Sequence, residues 1–157
     1  YYFNLKTELK NQRKNTTAWT AATTLVIGVK AMFAEIDAQG GLEALYAQTK
    51  KRALASNEAL KALGFSIYPK TPALSMSAVL DDDALKIRKL LKTKYGVNMA
   101  GGQDHIKETL FRINHMGLVH VYETAWTLNA IEMALAEIGR RPFDGTANRV
   151  FTQEFYI

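Results

Sequence analysis

One arginine stands inside a stretch that otherwise has the composition of a buried strand. The stretch is Leu110–Gly117, written LFRINHMG, and Arg112 is its third residue. In extended structure alternate side chains point to opposite faces, so Arg112 shares a face with Asn114 rather than with Phe111 and Ile113. A guanidinium is a planar fork of donors that matches a carboxylate with two parallel hydrogen bonds. The group that partners this guanidinium therefore decides the role of Arg112.

Three fates are open to Arg112 from the sequence alone. A guanidinium buried without a partner is costly, because it loses its water and gains nothing in return. An acidic side chain of the same chain pairs with it, or it reaches an exposed edge, or it binds an anionic ligand. Spacing alone favours the internal salt bridge, which is the commoner fate of an arginine.

A pair of glycines, Gly101 and Gly102, precedes this strand. Glycine allows a tight turn and the close approach of another group. A phosphate loop is excluded, because the Lys-Ser/Thr pair and the helix that follow such a loop are absent. By itself the pair indicates a plain turn.

Hydroxyl side chains gather ahead of a long helical pattern, in the segment 15–20, written NTTAWT. Hydroxyls together with free backbone N–H groups at a helix N-terminus suit an anion such as phosphate. Threonine also serves as an N-cap. The two interpretations are compatible, and the local sequence leaves both open.

Other kinds of site are excluded by residue type and spacing. The chain has no cysteine, which removes disulfides, thiolate metal sites and cysteine nucleophiles. None of the three histidines, His105, His115 and His120, has a second ligand at the spacing of a zinc site, so no metal is predicted. His115 is interpreted as a packed or hydrogen-bonded histidine rather than a catalytic base.

An α+β arrangement is predicted to position these residues. The helical segments are 2–13, 21 to the Gln39-Gly40-Gly41 stop, 42–63, the stretch from Asp81-Asp82-Asp83 to Gly96, and 120–139. The strand candidates are 65–68, 76–80, 97–100 and the stretch around Arg112. They predict a small, mostly antiparallel sheet of three to four short strands with long helices against one face. Residues 140–157 are predicted to be a tail with a possible short helix.

Length and composition are those of one soluble domain. The chain has 157 residues, of which 48% are hydrophobic and 22% charged. No apolar run approaches the roughly 18 residues that cross a bilayer, and no signal peptide is evident, so a cytoplasmic protein without membrane contact is expected. The net charge of +5 raises nucleic-acid binding. Aromatic residues are not interleaved with the basic ones, so solvated surface charge is favoured and no nucleic acid is expected.

Three stretches taken together resemble one enzyme family. They are NTTAWTAATTLVIGVKAM, GLEALYAQTKKRALASNEALKALGFSIYPK and YGVNMAGGQDHIKETLFRINHMG. In order and spacing they are similar to the C-terminal part of the class V, fold-type I aminotransferases, above all the alanine–glyoxylate and serine–glyoxylate (serine–pyruvate) transaminases. The resemblance covers about residues 1–139, the expected small domain, and leaves out 140–157.

The resemblance implies roles for single residues. Family members bind pyridoxal phosphate (PLP) and work as homodimers with active sites at the subunit interface. Arg112 stands where the family arginine binds the α-carboxylate of an amino-acid or oxo-acid substrate. Thr20 stands where a threonine reaches the PLP phosphate of the neighbouring subunit, and Thr17 where some relatives have a tyrosine, which weakens its case. Gly101 and Gly102 would lie at the mouth of the site.

The resemblance also implies that the catalytic half is absent from this chain. In the family the Schiff-base lysine and most of the cofactor pocket lie upstream of these motifs, and this chain starts at Tyr1. We therefore expect a small domain of a longer parent enzyme, inactive alone, without a catalytic residue of its own and lacking its N-terminal large domain. The alternative is a stand-alone, non-catalytic dimerisation or interaction module of the same fold.

Overall fold

The residues described by the computed structural model, 3–157, fall into two units that divide after Leu42. The first unit contains α1, Leu5–Gln12, and α2, Thr23–Ala38. Asn4 caps α1, because its side-chain oxygen accepts a hydrogen bond from the Thr7 N–H at 3.1 Å. The helix predicted at 2–13 is thus found, although Tyr2 lies outside the described residues.

Helix α2 has the predicted extent but buries none of its residues. It ends at Ala38, and Gly40 and Gly41 follow with positive φ angles of 99° and 84°, the left-handed conformation that glycine adopts at helix ends. Its large apolar side chains are between 47% and 70% exposed: Leu25, Val26, Ile27, Val29, Met32 and Phe33. Within the first unit, no described residue covers this helix.

The second unit has the predicted α+β class. Its elements are α3, Gly41–Ala62, which begins two residues before the division; β1, Ser66–Ile67; β2, Met76–Leu80; α4, Ala84–Lys94; β3, Ala100–Gly101; a single 3-10 turn, Asp104–Ile106; β4, Leu110–Asn114; α5, Val121–Glu137; and α6, Thr146–Tyr156. Among residues 3–157, no helix is both long and apolar enough to cross a membrane.

The strands form one antiparallel sheet in the order β1-β2-β4-β3. Strand β4 therefore lies inside the sheet, with Arg112 paired to Ala78 of β2 and to Ala100 of β3. Alternation sends Val79, Phe111 and Ile113 into the core. There they pack with side chains from the helices, among them Leu60, Ile87, Leu91, Leu128, Ile131 and Phe151. The predicted small antiparallel sheet is confirmed.

Strand β3 begins later than the sequence predicts. Val97 was expected to open a strand over 97–100, but its N–H donates to the Leu91 carbonyl at 2.9 Å. That bond, with Gly96 at φ 68°, makes Val97 part of the end of α4. The ladder starts only at Ala100, and Gly101, expected in a turn, pairs with Phe111.

The last eighteen residues contain the short helix that the sequence suggested, and this helix is α6. Its N-terminus lies on Glu132 of α5, a fully buried carboxylate. That carboxylate accepts hydrogen bonds from the N–H groups of Thr146 at 3.1 Å and Ala147 at 2.9 Å. A negative charge is stabilising at this end of a helix, where unpaired N–H groups gather. Phe151 and Phe155 of α6 are buried in the same core as the sheet.

Candidate carboxylate-binding site

Arg112 lines an open cleft of about 320 Å³ beside the sheet. Its position in β4 places its side chain on the face opposite Phe111 and Ile113, and the residue is half-buried. The other lining residues come from β2, the loop before β3, β3 itself, β4 and α5: Met76, Asn98, Met99, Ala100, Ile113, Asn114 and Thr127. Strand pairing thus holds the base of this side chain on both sides.

The guanidinium of Arg112 has no acidic partner in the described part of the chain. It takes part in none of the ion pairs found among residues 3–157. Its Nε is buried and has no hydrogen-bond partner there. The internal salt bridge that spacing favours is therefore not found, and the donors of the fork are left for another group.

The remaining cleft walls are neutral. Of the eight residues of 3–157 that line the cleft, only Arg112 carries a charge. Asn114 is occupied locally: its amide donates to the Met116 carbonyl at 3.0 Å and accepts from the Met116 N–H at 3.3 Å. The Thr127 hydroxyl donates to the Glu123 carbonyl at 2.8 Å. The cleft therefore combines one positive fork with apolar and neutral polar walls.

Both glycines are needed for close approach, but by groups of their own chain. A Cβ on Gly101 would lie 2.3 Å from Nη1 of Arg88, whose Nε donates to the Met99 carbonyl at 3.3 Å. A Cβ on Gly102 would lie 2.2 Å from the carbonyl oxygen of Ile106. Neither glycine lines the cleft, whereas the preceding Ala100 does.

The two threonines lie in the first unit, in the loop before α2. No threonine caps α2, since Ala22 is its N-cap residue and no side chain caps it. The Thr17 hydroxyl donates to the Trp19 carbonyl at 2.5 Å. Thr20 is exposed, and its hydroxyl has no hydrogen-bond partner among residues 3–157. Thr20 belongs to the first unit and Arg112 to the second.

Behind β4, on the core side, lies a polar network that the sequence did not reveal. Ser77 of β2 donates to Oδ1 of Asn57 at 2.6 Å, and its Oγ lies 2.8 Å from Nε2 of His115. Arg52 of α3 donates from Nη1 to the His115 carbonyl at 2.8 Å. All four residues are at least 90% buried. The bonds join residues 20, 38 and 63 positions apart, which no local pattern can predict.

The network selects one tautomer of His115. The single Ser77 hydroxyl proton goes to Asn57, so Nε2 of His115 must carry a proton and donate it. Its Nδ1 is then a bare lone pair, buried without a partner among residues 3–157. Burial, and then the nearby positive charge of Arg52, lower the pKa of His115 to about 4. The interpretation of His115 as packed and hydrogen-bonded is confirmed.

Comparison with curated proteins identifies relatives along nearly the whole chain. No protein-family model matches it. An uncharacterized aminotransferase of Helicobacter pylori is 50% identical over 99% of this chain and 42% of that protein. The soluble hydrogenase small subunit of Synechococcus sp. is 33% identical over 91% of this chain and 38% of its own length. Serine–glyoxylate aminotransferase of Hyphomicrobium methylovorum is 25% identical over 88% of this chain and 35% of its own length.

A solved structure shares the fold. Ureidoglycine–glyoxylate aminotransferase of Bacillus subtilis superposes with a TM-score of 0.81 over 99% of this chain and 42% of that one, at 18% identity. These matches confirm the resemblance to aminotransferases. The chain spans 42% or less of the length of each of these proteins. The Helicobacter match also extends into residues 140–157, which the motifs had left out.

Proposed function

We propose that this chain, which is similar to aminotransferases along nearly all its length, is the substrate-binding small domain of a PLP-dependent transaminase. The complete enzyme would move an amino group between a small amino acid, such as alanine or serine, and a 2-oxo acid, such as glyoxylate or pyruvate. The parent protein would be longer, homodimeric and cytoplasmic. This chain alone would supply no catalytic residue and would be inactive.

The observation that carries the proposal is the guanidinium of Arg112. It lines an open cleft, its Nε has no partner, and no acid among residues 3–157 neutralises it. Nε–H and one Nη–H of an arginine form two parallel donors at the spacing of carboxylate oxygens. Arg112 would hold the α-carboxylate of the substrate and so orient the bond that reacts, which is a positioning contribution.

The charge of the cleft supports a substrate with one carboxylate. Arg112 is the only charged residue among the described ones that line it, so a second carboxylate would meet neutral walls. Removing a charged group from water without a partner is costly, which disfavours dicarboxylic acids. The volume of about 320 Å³ suits a small ligand.

The first unit offers a group for the cofactor. Thr20 is exposed ahead of α2 with its hydroxyl unpaired in the described chain, which fits a phosphate ligand. Thr17 fits less well, because its hydroxyl already donates to Trp19. When bound, PLP supplies an electron sink. In this proposal Thr20 holds the phosphate, Thr17 has at most a minor part, and Gly101 and Gly102 shape the strand end beside the cleft.

The exposed apolar surface of α2 supports partners for this chain. A helix without a single buried residue and with six large apolar side chains exposed needs a cover. In the proposed parent that cover is the N-terminal large domain, with a second subunit completing the active site. The relatives have at least 58% of their length beyond the matched part, which is room for such a domain.

A titration of the ¹⁵N-labelled chain with sodium pyruvate tests the carboxylate site. We expect a saturable shift of the Arg112 Nε–H signal, and a loss of affinity of about tenfold or more in Arg112→Lys, because a point charge cannot reproduce the fork. Arg88→Lys, which changes an arginine outside the cleft lining, is the matched control. An equal shift with sodium chloride, or unchanged affinity in Arg112→Lys, would contradict the proposal.

A second measurement tests inactivity. The isolated chain, supplied with PLP, L-alanine and glyoxylate, should form no glycine or pyruvate above the rate of PLP alone. Catalysed turnover by the chain would show that the catalytic groups are present after all.

A further inference from the structure

We propose that His115 is a positioning residue for Arg112: its ring and backbone fix the register of β4 and keep the guanidinium on the cleft side of the sheet. The functional meaning of this inference rests on the proposed carboxylate site. The structural claim, that one buried histidine sets the register of a strand, can be tested separately.

Three directional bonds converge on His115. Its N–H donates to the Ser75 carbonyl at 2.9 Å, which extends the β2–β4 ladder by one step. Its carbonyl accepts from Nη1 of Arg52 at 2.8 Å. Its Nε2 donates to Oγ of Ser77 at 2.8 Å, and the residue is fully buried. Backbone and side chain are thus held at the same time.

These bonds close a ring through three elements. Arg52 and Asn57 both belong to α3, Asn57 accepts from Ser77 of β2, and Ser77 contacts His115 at the end of β4. The path returns from His115 to α3 through Arg52. Because the ring runs from α3 to β2 to β4 and back, β4 cannot slide along β2 without breaking several of its bonds.

Register decides which face carries Arg112. Side chains alternate along a strand, so a slip of one residue would exchange the two faces of β4. Arg112 would then point into the core now occupied by Phe111 and Ile113. Apolar pairs such as Val79 with Phe111 and Leu80 with Leu110 tolerate exchange more readily than hydrogen bonds of fixed direction.

The ring is a costly way to fill a core, which points to specificity. Two of its polar atoms, His115 Nδ1 and Arg52 Nε, are buried without a partner among residues 3–157. Replacing a buried polar cluster by apolar residues of similar size is often neutral or stabilising. Buried polar groups have their best-attested use in setting register, as single buried asparagines do in coiled coils.

Three variants of the 157-residue chain test the role of His115. His115→Leu removes the donor and the acceptor of the imidazole, whereas His115→Gln keeps a side-chain N–H that can donate to Ser77. Ile131→Val, at a fully buried position outside the hydrogen-bonded network, is the control, because it loosens core packing by one methylene group and leaves the network intact. The readouts are the cross-strand nuclear Overhauser contacts of Arg112 with Ala78 and with Ala100, and the affinity for sodium pyruvate.

We expect His115→Leu to lose or split the Arg112 contacts and to bind pyruvate about tenfold more weakly. His115→Gln should restore the Arg112 contacts and the pyruvate affinity, and Ile131→Val should change neither of them. If His115 only stabilised the core, Ile131→Val would affect the two readouts as well. A folded His115→Leu with native Arg112 contacts would overturn the inference. If the wild-type chain shows these contacts but binds no pyruvate, the proposed carboxylate site is refuted. The Arg112 contacts in the variants still test whether His115 sets the register of β4.

A further variant, Ser77→Ala, covers the case in which His115→Leu does not fold. Ser77→Ala removes one oxygen and leaves Nε2 of His115 without its acceptor. We expect broadened or duplicated Arg112 signals in Ser77→Ala. Unchanged Arg112 signals and contacts in that variant would overturn the inference equally.

Discussion

Arg112 differs from Arg140 and Arg141 in having no acid beside it. Arg140 pairs with Asp81 and lies over the ring of Phe65 at 5.6 Å, and Arg141 lies 3.1 Å from Asp144. The Nε of Arg112 is buried and unpaired among residues 3–157. Removing an arginine that stabilises the fold should lower the free energy of unfolding, whereas removing one that serves only to bind a ligand should not.

Substitution of Arg112 by methionine should lower the free energy of unfolding by no more than about 0.5 kcal/mol, because no ion pair is lost and an unpaired buried donor is removed. Arg140→Met is the matched control and should cost about 1 kcal/mol, since its ion pairs are partly exposed. Urea unfolding measures both. A loss above about 2 kcal/mol in Arg112→Met would restore the structural interpretation of this arginine.

His115 should make the stability of the second unit depend on pH. Its pKa in the folded chain is about 4, below the usual 6.5, so above pH 6.5 the ring is neutral in both states and contributes no pH dependence. As pH falls from 6.5 to 4, the unfolded chain binds the proton first and stability is lost. Below about 4 this loss levels off, at about 3 kcal/mol in total.

Urea unfolding between pH 4 and pH 8 checks this dependence, with His115→Gln as the control. Carboxylates also titrate at low pH, so the relevant quantity is the difference between the two proteins. The variant should lack the decline between pH 6.5 and 5, where carboxylates contribute little. Parallel profiles would mean that the buried ring is not held neutral.

At the scale of elements, the turn after β3 depends on the absence of one side chain. Gly102 lies against the Ile106 carbonyl, a backbone atom that can move only with its turn. Gly101 lies against the far end of the Arg88 side chain, which can swing away. The two glycines are adjacent, yet their neighbours differ in freedom.

Gly102→Ala should therefore cost about 2 kcal/mol of unfolding free energy, and Gly101→Ala less than about 1 kcal/mol. The midpoint of urea unfolding gives both values. The ordering is the test: a Gly101→Ala loss as large as that of Gly102→Ala would show that Arg88 is fixed over the strand rather than mobile.

At the scale of the whole molecule, the burial of apolar residues is uneven. The second unit has a continuous core from α3 to α6, while α2 of the first unit contributes no buried residue. Apolar surface of this extent on one helix is typical of an interface rather than of a free surface.

The isolated chain should consequently self-associate, and charges on α2 should prevent it. Leu25→Lys combined with Phe33→Lys removes two exposed apolar side chains and should shift the sedimentation profile toward monomer. Asp37→Lys adds positive charge on the same helix without removing apolar surface, and should shift it less. A wild-type chain that stays monomeric at all accessible concentrations would contradict this expectation.

Local pattern determined most elements. The strand predicted at 76–80 is β2, Met76–Leu80, and the helix predicted at 120–139 is α5, Val121–Glu137. Period-two alternation also placed Arg112 on the face away from Phe111. Such features depend on neighbours in sequence, so the sequence predicts them directly. The predicted start of β3 was wrong, because the N–H of Val97 donates to the Leu91 carbonyl at the end of α4.

Tertiary structure decided what each polar group meets. No spacing rule shows that every described acid misses Arg112, or that Ser77 lies between Asn57 and His115. The sequence also does not predict that the buried carboxylate of Glu132 accepts hydrogen bonds from the N-terminus of α6, since its partners follow 14 and 15 residues later. Pairing at this range depends on how the elements pack, and packing follows from the whole core rather than from any local run.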